Sequence, residues 1–313
     1  MKRSPLLRIV TLASCLVFTA RARSQSAERS PEQKSHSPGG AIETSVLGAG
    51  RLNPLGLSVQ ADAYTSWRLY ASDNVALEQN YVRPIVTGPL SAARAHGGVG
   101  LVIQPASVFG IRALVQGIRY FGTFGHVHSF PDTYAPWDDD DLEKRSQDAE
   151  GVNARGDGFS GDALGGRVFN ASAYVQFKVG RFLSRTEGGV SRTRLDLPGG
   201  MQVFYDPGED ILLRNAAYAT FVNADALFDG FPTVGFRSGL SLRTFDARAY
   251  GAPAAARLRN VRIGPTAIWE FEGGQYLALL AHWYAIHPYR AEGPRRAVPS
   301  MALAYQLDTE FNP

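Results

Sequence analysis

Cysteine is all but missing. The one that occurs, Cys15, stands near the start of the 313-residue chain. Long apolar runs are missing too. Past the first two dozen residues no stretch reaches the roughly 18 consecutive apolar residues of a membrane-crossing helix, which excludes helical spans. Charge is thin, at 19 % of residues. The chain has no glycine-rich phosphate loop, no dinucleotide fingerprint and no cysteine-based metal motif. That removes the usual nucleotide-dependent and zinc-dependent classes. No cofactor is expected.

What is present begins with an export leader over residues 1–24. Lys2, Arg3 and Arg8 form its positive start, Ile9 to Ala20 its short apolar core, and Ala22 and Ser24 its cleavage region. Leu12-Ala13-Ser14-Cys15 resembles a bacterial lipoprotein cleavage box. Ordinary cleavage after Ser24 removes the cysteine and five basic residues. The formal charge then turns from +3 to −2, so the basic balance of the precursor is no argument for a nucleic-acid partner. Residues 25–54, rich in Ser, Pro, Gly and Gln, read as a flexible tail.

From residue 55 onward, alternation dominates. In Ser300–Phe311 every second residue is large and mostly apolar: Met301, Leu303, Tyr305, Leu307, Thr309, Phe311. Ala302, Ala304, Gln306, Asp308 and Glu310 stand between. Period two means an extended strand with two unlike faces. The same pattern predicts strands over about 55–70, 98–104, 108–121, 167–180, 185–196, 211–228, 233–245, 258–271 and 275–287. The fifth of these, 185–196, is poorly patterned, and 275–287 is apolar on both faces. Near Gly117 the phase slips to Ile118 and Tyr120, which predicts a bulge. Asp229-Gly230 and Glu272-Gly273-Gly274 read as tight turns.

Ten strands leave short connections near 105–107, 181–184, 229–232 and 272–274. Longer ones cover 71–97, 122–166, 197–210, 246–257 and 288–299, so short and long alternate. In this asymmetry, and in nearly ending on an aromatic residue, the chain resembles a bacterial outer-membrane β-barrel. The resemblance implies an all-β, transmembrane, antiparallel up-and-down barrel over 55–313, of ten strands or alternatively twelve, in the outer membrane. Extra strands around 80–86 and 201–205 would make twelve. The closing strand is expected to pair with the first, near Leu55–Leu69. Phe182, Phe228, Phe231, Phe271, Tyr276 and Phe311 are expected to form the periplasmic aromatic girdle. Tyr70, Phe121, Phe245 and Tyr289 are expected to form the outer one.

The inward faces then supply the candidate lumen residues: Asp62, Arg68, Arg112, Lys178, Arg237, Arg243, Arg262, Glu270 and Asp308. Their chemistry suits either ion pairs that fill a narrow barrel or a selective path for a small solute. In the longest loop, Asp138, Asp139, Asp140 and Asp141 offer oxygen ligands for a divalent cation. His126 and His128 offer two imidazoles on one side of an extended segment. Tyr205-Asp206-Pro207-Gly208 resembles a fragment of the omptin outer-membrane proteases. That family carries a catalytic Asp and His just ahead of this fragment, where this chain has Gln202 and Phe204, so the water-activating base is missing. The expected partners are outer-membrane lipid, small solutes, and divalent cations at the outer loops. The expected function is a narrow channel, or a structural or surface-interaction protein acting through its outer loops. A hydrolase acting on lipid or peptide at the outer rim is the alternative.

Overall fold

The computed structural model describes residues 41–52, 56–92, 94–121, 129–130, 164–197, 201–206, 211–244, 257–287 and 299–311. Only backbone is described at 130, 211–212, 243–244, 257–259 and 311. The leader 1–24 with Cys15, the tail up to residue 40, His126, His128, Asp138–Asp141, Phe245 and Tyr289 lie outside the described residues.

Twelve strands form one antiparallel ring. In chain order they are β1 (Ile42–Leu52), β2 (Gly56–Thr65, extended by Trp67–Arg68), β3 (Tyr81–Ser91), β4 (Arg94–Ala106), β5 (Phe109–Tyr120) and β6 (Gly165–Val179). There follow β7 (Phe182–Leu195), β8 (Tyr218–Phe228), β9 (Thr233–Thr244), β10 (Arg257–Phe271), β11 (Gln275–Ile286) and β12 (Ser300–Phe311). Each strand pairs with its neighbours in sequence, and β12 pairs with β1 from Ile42↔Phe311 to Leu52↔Met301. Closure removes every free edge. It also excludes a two-sheet sandwich.

Two strands exceed the main expectation of ten. β1 lies inside the expected tail. Its small residues, Gly48, Ala49 and Gly50, blur the alternation that a barrel strand otherwise shows. β3 lies inside the expected irregular stretch 71–97, where Pro84 and Pro89 argue against a strand. Each proline removes one donor, and the ladders on both sides of β3 continue around them. The seam is therefore β12 with β1, not with Leu55–Leu69, and β2 runs opposite to the expected direction.

The expected strict alternation of connections changes with it. At the end that carries the long loops, few residues also separate Leu52 from Gly56 and Ser91 from Arg94. The other end has short turns at 107–108, 180–181, 229–232 and 272–274, plus the longer connection 69–80. That connection packs against the end of β4, where Gln104 Nε2 donates to the Gln79 carbonyl at 2.7 Å. Its one-turn helix, Val75–Glu78, is capped by Asn74 Oδ1, which accepts the Ala76 N–H at 2.9 Å. It is tied to the β4–β5 turn by the Ser107 N–H to Ala76 C=O bond at 2.8 Å. Both described ends of the ring, Ile42 and Phe311, lie at this end.

Three local expectations are corrected. There is no bulge at Gly117: β5 pairs in continuous register from Arg94↔Tyr120 to Ile103↔Ile111, and the shift falls at Ile103/Ala106. Ile118 and Tyr120 stay in phase and point inward, because an apolar partner waits there. The expected strand 211–228 is broken at Ala216, which has a positive φ of 61°. Its first part, Ile211–Arg214, joins Val203–Asp206 and Ser129–Phe130 in a separate three-stranded sheet rather than the ring. The undecided faces of 275–287 resolve with Tyr276, Ala278, Leu280, His282 and Tyr284 buried.

The outer surface is apolar. Val99 is 62 % exposed, Val115 and Val175 are each 52 % exposed, and Leu303 is 53 % exposed. On β5 the uncharged outward run extends from Phe109 to Gly117 before Arg119, and on β7 from Phe182 to Val190 before Arg192. Eight strand steps of about 3.3 Å, tilted by roughly 40°, give a band about 20 Å tall. Phe182, Phe228, Phe231 and Phe271 are exposed at the short-turn end, and Phe231 meets Phe271 edge-on at 6.2 Å. Tyr276 is inward instead. Tyr70 also belongs to the short-turn end, because β2 is reversed, and its hydroxyl donates to the Pro105 carbonyl.

Candidate functional site: the barrel interior

Each strand sends alternate side chains inward, and in β7 to β9 those are charged. Arg185 and Glu187 are two residues apart on one face of β7, with guanidinium and carboxylate 3.6 Å apart. Register sets Asp225 of β8 opposite both Arg185 and Arg237. Arg237 grips Asp225 with two nitrogens, Nε at 3.1 Å and Nη2 at 3.2 Å. All four side chains are buried. Arg262 of β10 lies over Gly239, where an added Cβ would stand 3.0 Å from its Nε and 3.1 Å from Asn223 Oδ1.

Next to this cluster a ring–guanidinium stack joins the strands. Arg185 sits 4.0 Å from the centre of the Tyr174 ring. The Tyr174 hydroxyl donates to Gln104 Oε1 at 2.6 Å. The ring lies over Gly110, where a Cβ would come within 2.4 Å of it. Only glycine allows that approach. A second stack holds Arg83 between Tyr64 and Tyr81, 4.4 Å from each ring centre. Arg83 Nε donates to Ser66 Oγ at 2.7 Å, and Arg83 Nη2 reaches Glu43 at 3.9 Å.

The opposite wall carries several carboxylates, with Arg51 of β1 buried nearer the long-loop end. Asp62 on β2 and Asp308 on β12 are both set opposite Ser45 of β1. Gln60 Nε2 donates to the two Asp62 oxygens at 2.9 and 3.0 Å, and Gln306 Nε2 donates to Asp308 at 2.8 Å. Among the described residues neither carboxylate has a cationic partner within salt-bridge distance. Glu43 and Glu310 face each other one row nearer the rim.

The nine lumen candidates thus separate. Asp62, Arg237 and Arg262 are buried inside, and Arg112, Glu270 and Asp308 are half-buried. Arg68 is at the short-turn rim, exposed, with its Nε on the Tyr70 carbonyl at 3.0 Å. Lys178 is at the same rim and bonds Asp229 at 2.7 Å. The Arg243 side chain lies outside the described atoms. Sequence reasoning did not select Arg185, Glu187, Asp225 or Arg83. The Arg-Thr-Glu spacing at 185–187 was the available signal, since i and i+2 share a face.

The long-loop end is partly capped from within. Phe204, 1 % exposed, and Leu213 on the neighbouring strand pack with Ile118, Tyr120 and Leu195 on the inner face of β5 and β7. This explains the inward apolar pair on β5. The Nε2 atoms of His96 and His282 are buried without a hydrogen-bond partner among the described residues. His287 stacks edge-on with Tyr284 at 4.7 Å.

A closed twelve-stranded barrel with an apolar outer band and a polar, charged interior is a bacterial outer-membrane β-barrel. No protein-family model matches the chain, and no curated protein matches it. Solved structures similar to it include the translocator domain of the autotransporter NalP from Neisseria meningitidis (TM-score 0.39, 9 % identity, covering 96 % of each chain). Others are the β domain of the Bordetella autotransporter BrkA (0.42, 8 %, 86 % of this chain and 99 % of that one) and an outer membrane channel from Pseudomonas putida F1 (0.40, 11 %, 90 % and 99 %). At this distance the function is read from the chain's own residues.

Proposed function

We propose that this barrel is a narrow passive channel for small solutes that carry separated positive and negative charge. One observation carries the reading: the inward charges are unevenly spread. Asp62, Asp308, Glu43 and Glu310 on β12, β1 and β2 outnumber buried Arg51 of β1, even with Arg83 of β3 reaching Glu43. On β5 to β10, Arg112, Arg185, Arg237 and Arg262 outnumber Glu187, Asp225 and Glu270. β1 and β7 are six strands apart in a ring of twelve, so the two groups oppose each other across the axis. Low-dielectric walls focus such a field, and a solute with both signs is oriented by it. Half-buried Arg112, Asn170, Ser172, Asn223, Glu270 and Asp308 leave solvent-reached positions on both sides of the interior, which supports this reading.

The test is conductance across planar lipid bilayers with refolded protein whose folding is verified by a gel-mobility shift on boiling. The expected result is discrete conductance steps that fall when a zwitterionic solute is added. Folded protein that never conducts would overturn the channel reading. It would favour the second reading, a structural or surface-interaction protein. The Arg237–Asp225 and Arg185–Glu187 pairs support that second reading, since paired charges fill a lumen as well as they line one.

A further inference from the structure

Among the described side chains, the outward face carries a cluster of arginines on one side of the ring. At the long-loop end, Arg119 on β5, Arg167 on β6, and Arg192 and Arg194 on β7 are all exposed and point away from the interior. Register sets Arg167 directly opposite Arg194, and Arg192 opposite Phe169. Like charges face to face across a strand pair destabilise it. Arg192 is partly occupied, with Nε on the Ala216 carbonyl at 2.8 Å and its guanidinium 5.2 Å from the Tyr218 ring centre. The adjoining outward positions are Gly117 and Gly165. A Cβ at Gly117 would meet nothing closer than 3.9 Å, so the wall between the arginines is open. One carboxylate, Asp196, stands beside Gly165 with Arg119 on its other side, and the patch keeps a net positive charge.

The patch begins where the apolar band ends: Val115 and Phe169, one row below, are exposed apolar residues. Elsewhere in the ring the corresponding outward residues are Leu52, Leu57, Leu90, Trp283 and Met301. Among the described side chains of the remaining strands, the arginines at this end, Arg51 on β1 and Arg94 on β4, point inward, Arg94 onto the Tyr120 hydroxyl. An anion that neutralises guanidinium groups at this height sits at the headgroup level of a lipid, with its chains along β5 to β7. The loop-bearing end of such a barrel faces the outer leaflet. Guanidinium groups pair two-pronged with phosphate. We propose that Arg119, Arg167, Arg192 and Arg194 form a binding site for a phosphorylated lipid of the outer leaflet, held by its phosphate groups against β5–β7.

The experiment titrates full-length refolded protein in mixed micelles with diphosphorylated lipid A, and with the same lipid stripped of both phosphates. It does not depend on conduction. The phosphorylated lipid is expected to bind at least tenfold more tightly. Arg167→Gln/Arg194→Gln is expected to lose that preference, and Arg181→Gln, at the opposite rim, to keep it. Folding of each variant is verified by the mobility shift on boiling. Arg194→Gln alone, which relieves the facing pair, is expected to show an intermediate loss. Equal affinity for the two lipids, or full retention in the double variant, would overturn the proposal. Complete displacement by millimolar inorganic phosphate would also do so, because it would mark a free-anion site.

Discussion

Moving one arginine along β5 tests whether the apolar band faces lipid. Ala113 is the middle outward residue of the run Phe109 to Gly117, four residues from each end, and it is exposed. Arg119 is on the same face of the same strand, just above the band. An arginine on the lipid face of a β-barrel costs about 2–4 kcal/mol at the bilayer midplane and about 0–1 near the interface. Ala113→Arg should therefore shift the folding equilibrium by roughly 30- to 700-fold, at about 1.4 kcal/mol per tenfold. Arg119→Ala should change it by less than about tenfold, because Arg119 already sits at the inexpensive depth. Urea titration of protein folded into phosphatidylcholine vesicles, read from the unboiled folded band, measures both. If Ala113→Arg and Arg119→Ala shift the midpoint equally, or if Ala113→Arg has no effect, that face does not contact hydrocarbon and the membrane assignment fails.

Gly110→Val should cost about 1–3 kcal/mol by forcing the Tyr174 ring off the strand, and Tyr174→Ala in the same chain should recover part of it, as measured in the same titration. Arg237→Leu should cost about 3–5 kcal/mol by leaving Asp225 buried without its hydrogen-bonded ion-pair partner. Arg237→Leu/Asp225→Leu should cost much less, and a double-mutant cycle reads the difference. Asp62→Asn with Asp308→Asn should shift the reversal potential in a salt gradient toward anions. An unchanged reversal potential in a conducting protein would place the ion path away from β12, β1 and β2.

Where one face of a strand meets lipid and the other meets packed polar groups, the alternation in the sequence is strong enough to read directly. β2, β6 and β12 show this, with inward Asp62, Gln176 and Gln306 against outward Val59, Val175 and Leu303. Alternation fades where small residues occupy both faces, as in β1, and where proline interrupts the pattern, as in β3. Those two strands account for the step from ten to twelve, and that step moves the seam and reverses β2. Ile118 and Tyr120 misled for a different reason. The rule that apolar residues face lipid holds only until a loop supplies an apolar partner inside, and Phe204 comes from a segment more than eighty residues later.

The site was less legible than the fold because its unit is a row of residues across strands. Arg237 and Arg262 were visible as inward charges, yet nothing near them in the chain identifies Asp225 as the group that neutralises one of them. That pairing follows from the register of β8 with β9, which the tight turn at 229–232 sets, and from that of β7 with β8, which a long connection joins. Moving either register by one residue would point Asp225 at lipid. The same logic separates the two sets of arginines. Arg185 and Arg192 are both on β7, seven residues apart. The odd spacing alone sends the first into the barrel toward Glu187 and the second outward toward the membrane surface. A single strand thus supplies both the charged interior and the lipid-facing patch, and a one-residue insertion between them would put both arginines on the same face.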